Sequence, residues 1–301
     1  MRKCAIVSLA LFCLPAMARA YDAAALQADA SDFLSAESLI HRNLSASIAT
    51  LRQSQPLLAP SGGLALSSDL SLGQIVAPAF DYRDRLGAAS PFASLLDSGD
   101  AASIEPLSAG MAAAFRGGLG LNVNVSYLPP LLLNGGTKSL FRIGASGYWR
   151  LLSERFYSVG ALIGAGASYV HGTESRSLAT SFADSGNHSF SGSLDSQWNS
   201  GILDLELFLH KTFFIVNFYT RATGSLVFGS SSSTLSDIKV DGSPVADAQP
   251  SYSSVLQAPA ASLVLSGGME LILGELKVSA EAGRDWLSGT FYGSVGLRFG
   301  M

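Results

Sequence analysis

From about residue 113 to the C-terminus, apolar side chains recur at every second position, and that period leaves the β-strand as the regular structure for most of the chain. Phe115, Leu119, Leu121, Val123, Val125 and Tyr127 share one parity, while Arg116, Gly118, Gly120, Asn122, Asn124 and Ser126 share the other. The same alternation restarts near Phe141, Tyr157, Leu203, Phe214, Ala261, Leu276 and Phe291, which predicts eight strands. Their connections alternate in length. Those near 152–155, 211–212 and 274 are short, whereas 172–199 and 229–257 are long and rich in Ser, Gly and Asp. Short turns at one end and longer loops at the other are the mark of a membrane-spanning barrel; a soluble sandwich has no reason to keep that rhythm.

Composition fits the same architecture. The chain is 48% hydrophobic and only 14% charged, with a mean hydropathy of +0.31. Yet after residue 20 no apolar run reaches the roughly 18 residues of a spanning helix. The apolar excess is therefore dispersed, as it must be when one parity of every strand faces lipid. A net charge of -4 excludes a basic nucleic-acid-binding surface, so no nucleic acid is expected as a partner.

Residues 1–20 carry Arg2 and Lys3, an apolar centre from Cys4 to Leu14, and Ala18-Arg19-Ala20, the pattern of a cleaved export signal. Both cysteines, Cys4 and Cys13, fall inside it. Residues 21–60 form an amphipathic helical segment, with Leu26, Ala30, Phe33, Ile40, Leu44, Ile48 and Leu51 at helical spacing and Pro56 as its stop. Its expected place is the periplasm or the barrel lumen. Residues 61–107 read as irregular with one extra strand, and 108–301 as the barrel. If residues 64–77 and a neighbour insert, the count rises from eight to ten.

Aromatic side chains locate the membrane faces. Phe115 and Tyr127, like Tyr157 and Tyr169, lie twelve residues apart on the apolar parity. That separation approximates the apolar band once strand tilt is included. With Trp149 and Trp286 they are the expected girdle. The inward parity carries Arg116, Arg142, Arg150, Arg221, Lys277 and Arg298 against Asp204, Glu206, Glu270, Glu281 and Asp285. This balance favours a paired network over a pore lined by one sign of charge. Inward Gly118, Gly120, Gly144, Gly160, Gly164 and Gly166 are expected to leave room for a ligand, water or the N-terminal segment. Arg284 sits on the lipid parity beside Trp286, at the outer end.

Four histidines, His41, His171, His188 and His210, show no metal-ligand spacing, and no nucleophile motif occurs. The polar rim residues His171, Glu174, His188 and Ser189 offer the residue types of a catalytic set, but the sequence pairs no base with a nucleophile among them, and they read as solvated loop. Neither an enzyme nor a cofactor is expected.

The C-terminal Ser294-Val295-Gly296-Leu297-Arg298-Phe299-Gly300-Met301 resembles the assembly signal on the last strand of bacterial outer-membrane β-barrels, with Met301 where an aromatic is usual. The resemblance implies an all-β closed antiparallel transmembrane barrel, outer-membrane lipid around it, and insertion by the barrel-assembly machinery. In plan the chain is similar to OmpW-like channels for small apolar molecules, and to FadL-like transporters with an N-terminal plug. The expectation is a passive channel or binding barrel for small apolar molecules. The alternatives are an adhesin-like barrel acting through its long extracellular loops and a periplasmic β-rich protein.

Overall fold

Each hairpin hands its hydrogen-bond ladder to the next strand, and the last strand returns to the first, so no edge is left in the membrane-spanning wall. The computed structural model describes residues 23–50, 65–76, 90, 92, 103–104, 106–115, 117–133, 136–155, 158–183, 187–245, 252–256 and 260–300. The expected leader, and Arg116 and Tyr157 among the expected site residues, lie outside them. The elements are α1 (Ala23–Thr50), β1 (Ala65–Val76), β2 (Ser103–Ile104), β3 (Leu107–Ala114), β4 (Leu119–Leu133), β5 (Gly136–Leu152), β6 (Gly160–Ala183), β7 (Asn187–Phe213), β8 (Val216–Val240), β9 (Ser243–Pro244), β10 (Tyr252–Leu256), β11 (Ala260–Leu273), β12 (Leu276–Asp285) and β13 (Phe291–Gly300).

Ten of these strands form the closed antiparallel ring β1-β3-β4-β5-β6-β7-β8-β11-β12-β13. β13 closes it on β1, with Gly300 opposite Ser67 and Phe291 opposite Val76. The short strands β2, β9 and β10 pair alongside β1 and β8. The two strands beyond the eight read from periodicity are β1 and β3. β3 is separate from β4 because Gly117 and Gly118 take φ of +93° and +83°, and Phe115 N–H donates to Leu119 O across the turn at 2.8 Å. Phe115 and Tyr127 therefore belong to different elements, not to one twelve-residue span.

The outward parity is apolar around the ring. Leu203 and Leu205 are 50% and 67% exposed, while the intervening Asp204 and neighbouring Glu206 are each 3% exposed. An apolar outer face over a buried charged interior is stable in hydrocarbon and not in water. Tyr127, Trp149, Tyr169, Trp286 and the turn residue Phe115 all lie on this outward face.

On β6, β7 and β8 the apolar residues then change faces at a level where the pairing register is unbroken. Below Tyr169, Gly201 and Phe228, which are aligned across the three strands, most apolar side chains point outward, with Leu162, Ile202, Phe208 and Val227 turned inward. Above them, Val170, Leu178 and Phe182 on β6, Phe190, Leu194 and Trp198 on β7, and Leu235 on β8 point inward and are buried. The outward positions there become Ser175, Ser177, Asp195, Gln197, Ser232 and Thr234. The segments 172–199 and 229–257, expected as loops, are largely strand: β6 reaches Ala183, β7 begins at Asn187 and β8 reaches Val240. This inversion marks where the wall leaves lipid for water, since a strand in water must bury its apolar side. By contrast, β12 and β13 are ten residues each. That rise is roughly 25 Å after tilt, the height of the apolar band itself. The barrel is lopsided, with one tall wall of three strands.

Candidate functional site: the filled lumen

α1 lies inside the barrel against the tall wall. Near its N-terminal end, Leu26, Ala30, Phe33 and Leu34 pack with Phe92 and with the inward Leu178, Phe182, Phe190, Leu194, Leu235 and Ile238. Phe33 stacks on Phe92 at 5.0 Å. Farther along the helix, Ile40 reaches a second apolar ring contributed by eight barrel strands, including Ile75, Leu128, Leu140, Val170, Trp198, Ile202, Val227 and Val264. The helical spacing that puts these residues on one face is the one legible in the sequence.

The polar face of α1 is fixed by charge. The Arg176 guanidinium pairs with Glu37 and lies 3.7 Å from Glu174. Lys138 Nζ is 3.0 Å from Glu174. His41 contacts Glu174 at 3.5 Å through Nε2 and Ser231 Oγ at 3.1 Å through Nδ1, and its ring lies flat on Trp198. Deeper still, Ser200 Oγ donates to Ser45 Oγ at 3.1 Å. Burial pushes the Glu174 carboxyl up, but the hydrogen bond from His41 and the charges of Lys138, His41 and Arg176 outweigh it and hold the group well below the usual carboxylate range. Glu174 stands five residues beyond Tyr169, outside the membrane band.

Glu37, His41 and Glu174 could in principle offer ligand atoms to one metal ion. Arg176 and Lys138 already neutralise the two carboxylates, so the cluster is a charge-paired latch.

Below the apolar ring the lumen holds paired charges beside a small apolar cluster of Leu162, Phe208 and Tyr219. Arg221 lies between Glu206, at 3.2 Å, and Glu281. Tyr148 donates to Glu206 at 3.0 Å; Tyr219 and Tyr292 donate to Glu281 at 3.1 and 2.7 Å. Arg298 and Lys277 face Glu270 at 3.4 and 3.9 Å. Asp204 accepts from Ser225 at 2.6 Å. Asp285 instead organises the β12–β13 turn, accepting from Ser262, Ser288 and the Leu287 N–H. Arg142 is fully buried, and Arg150 half-buried. Among the described residues, Arg221, Glu206 and Glu281 form one cluster, Arg298, Lys277 and Glu270 another, and Asp285 a turn; Arg142, Arg150 and Asp204 stand apart from these, and no ring of one sign is seen among them.

Four of the six inward glycines, Gly118, Gly144, Gly160 and Gly164, face side chains and not open space. Gly164 lies directly opposite Tyr148 in the ladder, and a Cβ there would stand 2.6 Å from the Tyr148 ring. Gly172 faces Trp198 in the same way, with a Cβ contact of 2.0 Å. His210 covers Gly160 and Arg150 covers Gly118. Glycine on one strand admits a large side chain from the next, and the lumen fills from the wall itself. Sequence reasoning missed Trp198 and His41; the signal was Trp198's place on the inward parity of β7, hidden because that segment was read as loop.

Of the four rim residues only His188 and Ser189 come together, both on Asp241. Glu174 points inward to α1, and His171 Nδ1 lies 2.8 Å from Asn199 Oδ1. His188 Nδ1 donates to Asp241 Oδ2 at 2.7 Å. Ser189 donates its hydroxyl to Asp241, at 3.2 Å, rather than to a base. The hydrogen bonds from His188 and from the Ser189 N–H hold the Asp241 carboxyl below its ordinary value.

No protein-family model matches the chain, and no curated protein matches it. Among solved structures it is similar to the outer membrane protease OmpT from Escherichia coli, with 8% identity over 82% of this chain and 99% of that one, at a TM-score of 0.49. It is also similar to the translocator domain of the autotransporter NalP from Neisseria meningitidis, with 9% identity, 87% and 98% coverage and a TM-score of 0.36. A third similar structure is a mutant of the TodX monoaromatic hydrocarbon channel, with 10% identity, 80% and 90% coverage and a TM-score of 0.28. Likenesses at this level carry nothing about activity. The wall and its interior establish a ten-stranded β-barrel of the outer-membrane kind, with its lumen filled by a helix and a charge network.

Proposed function

We propose that this protein admits small apolar molecules at the outer side of a bacterial outer membrane, with α1 as the gate seated in their path. The supporting observation is the lining: one inward apolar cluster at the rim, with Phe182 and Phe190, and a second deeper one, with Leu140, Val227 and Val264, stand on either side of the Glu174 latch. Ion-selective pores instead present charged rings or backbone carbonyls. The Arg221 network closes the opposite half, so the resting barrel conducts few ions and passage requires both closures to shift. Export by the N-terminal leader and insertion through β13 by the barrel-assembly machinery belong to this reading.

Proteoliposomes carrying the purified barrel test it. Uptake of toluene above that of empty vesicles, with no matching uptake of a sugar, is the expected result. A folded barrel that takes up neither contradicts the proposal. A second reading is favoured by the tall wall, whose outward Ser175, Ser177, Gln197 and Ser232 stand clear of the membrane: a surface on which an envelope or host partner binds. Arginine substitutions at these positions would abolish such binding and leave toluene uptake unchanged.

A further inference from the structure

Within the membrane band, the outward parity of the described strands carries almost no charge, because an ionised group facing hydrocarbon is costly. Lys211, at the short-turn end, is compensated by Glu154 at 3.7 Å. Arg284 is different. It lies on β12 one residue before the end of the strand, between Leu265 of β11 and Phe291 of β13 in the ladder. It is exposed, and among the described residues no carboxylate pairs with it.

Its guanidinium is held by aromatic faces instead. The Cζ atom is 5.4 Å from the centre of the Trp286 ring and 4.9 Å from that of Phe291. Both rings are themselves exposed to lipid, at 60% and 51%. Cation–π contact fixes the plane of an arginine while leaving its N–H donors unused. Position decides where those donors point. The β12–β13 turn is at the end opposite the 274–275 turn, and ten-residue β12 is about as tall as the apolar band. Arg284 therefore stands at the outer edge of the hydrocarbon, where a snorkelling side chain meets headgroups.

We propose that Arg284, set between Trp286 and Phe291, is a binding site for the phosphate of a membrane-lipid headgroup, with the acyl chains lying on the apolar wall of β11 to β13. A flat, fixed guanidinium offers two parallel N–H donors to phosphate oxygens, which a mobile ammonium does not. The site rests on the bilayer orientation of the barrel and is independent of whether anything passes through the lumen.

Native mass spectrometry of the detergent-purified barrel, incubated with phosphatidylglycerol, tests it. Wild type should retain the lipid about tenfold better than Arg284→Gln, the loss expected for one charge-assisted contact, with Arg284→Lys in between. Heat-modifiable gel mobility should be unchanged in both variants, because the Arg284 contacts with Trp286 and Phe291 are on the exposed face and, among the described residues, no carboxylate pairs with it. Equal retention by wild type and Arg284→Gln would overturn the proposal. So would equal retention of diacylglycerol, which has the same chains and no phosphate, or full displacement of lipid by millimolar inorganic phosphate, which marks a free-anion site. If Arg284→Gln does not fold, the comparison of phosphatidylglycerol with diacylglycerol on wild type decides the matter.

Discussion

The imidazole of His41 lies flat on the indole of Trp198, with ring centroids 4.2 Å apart and planes 5° from parallel. One ring belongs to the helix and the other to the wall, so this contact joins the plug to the barrel at the level where the apolar faces change sides. Trp198 is 1% exposed and also joins the apolar ring below the latch. Trp198→Ala should cost about 3–5 kcal/mol of packing, much of it borne by helix docking. Limited proteolysis should then cleave within α1 while the barrel keeps its heat-modifiable mobility. Unchanged protection of α1 would show that the helix is held elsewhere.

Arg221 sits between two carboxylates in the buried half of the lumen. Arg221→Met leaves Glu206 and Glu281 without their cation, and removing one partner of a buried pair costs about 3–5 kcal/mol. Urea unfolding of the refolded barrel should shift to lower denaturant by that amount. Combining Arg221→Met with Glu206→Gln and Glu281→Gln should recover much of the loss, because no unpaired charge then remains.

Acid acts on the latch through Glu174. Its folded-state pKa is depressed, so its contribution to holding α1 is complete above the ordinary glutamate value of 4.5 and is lost as pH falls below it. Protection of α1 from protease should be constant from about pH 8 to about pH 5 and weaken only in stronger acid. Release centred between about pH 6 and 7 would place control on an imidazole instead.

The inversion of faces on β6 to β8 sets the outer limit of the membrane. Leu205→Arg, within the band, should cost about 2–4 kcal/mol of barrel stability, and Gln197→Arg, above the band, should cost about 0–1 kcal/mol. Equal costs at the two positions would mean that the boundary is misplaced.

The same inversion explains what was legible in the sequence. Leu203, Leu205 and Leu207 alternate with Asp204 and Glu206, so the period and the lipid-facing parity are plain there. Beyond Gly201 the strand continues, in register with β8 as far as a bulge at Ser191–Ser193, but apolar residues move to the other parity and serine fills the outward one, which imitates a loop. β1 was legible as the added strand over residues 64–77, with Leu66, Leu70 and Leu72 on one face, but Ser67, Ser68, Asp69 and Ser71 are mixed with them and β3 is largely alanine, so the contrast between faces is too weak to fix the count at ten. The lumen charges were legible as a set, but their partners follow from barrel closure, which brings Arg221 of β8 onto Glu281 of β12. The fate of the inward glycines could not be read from any single strand, since each is decided by the residue opposite.

The gate can be locked covalently, and this tests the central claim most directly. Ser45 of α1 and Ser200 of β7 meet at 3.1 Å between hydroxyls, and the native cysteines, Cys4 and Cys13, lie in the N-terminal leader pattern. In Ser45→Cys/Ser200→Cys, toluene uptake by proteoliposomes should fall to that of empty vesicles on oxidation and return on reduction. Uptake that is the same in the oxidised and reduced states would contradict α1 as the gate of an apolar path.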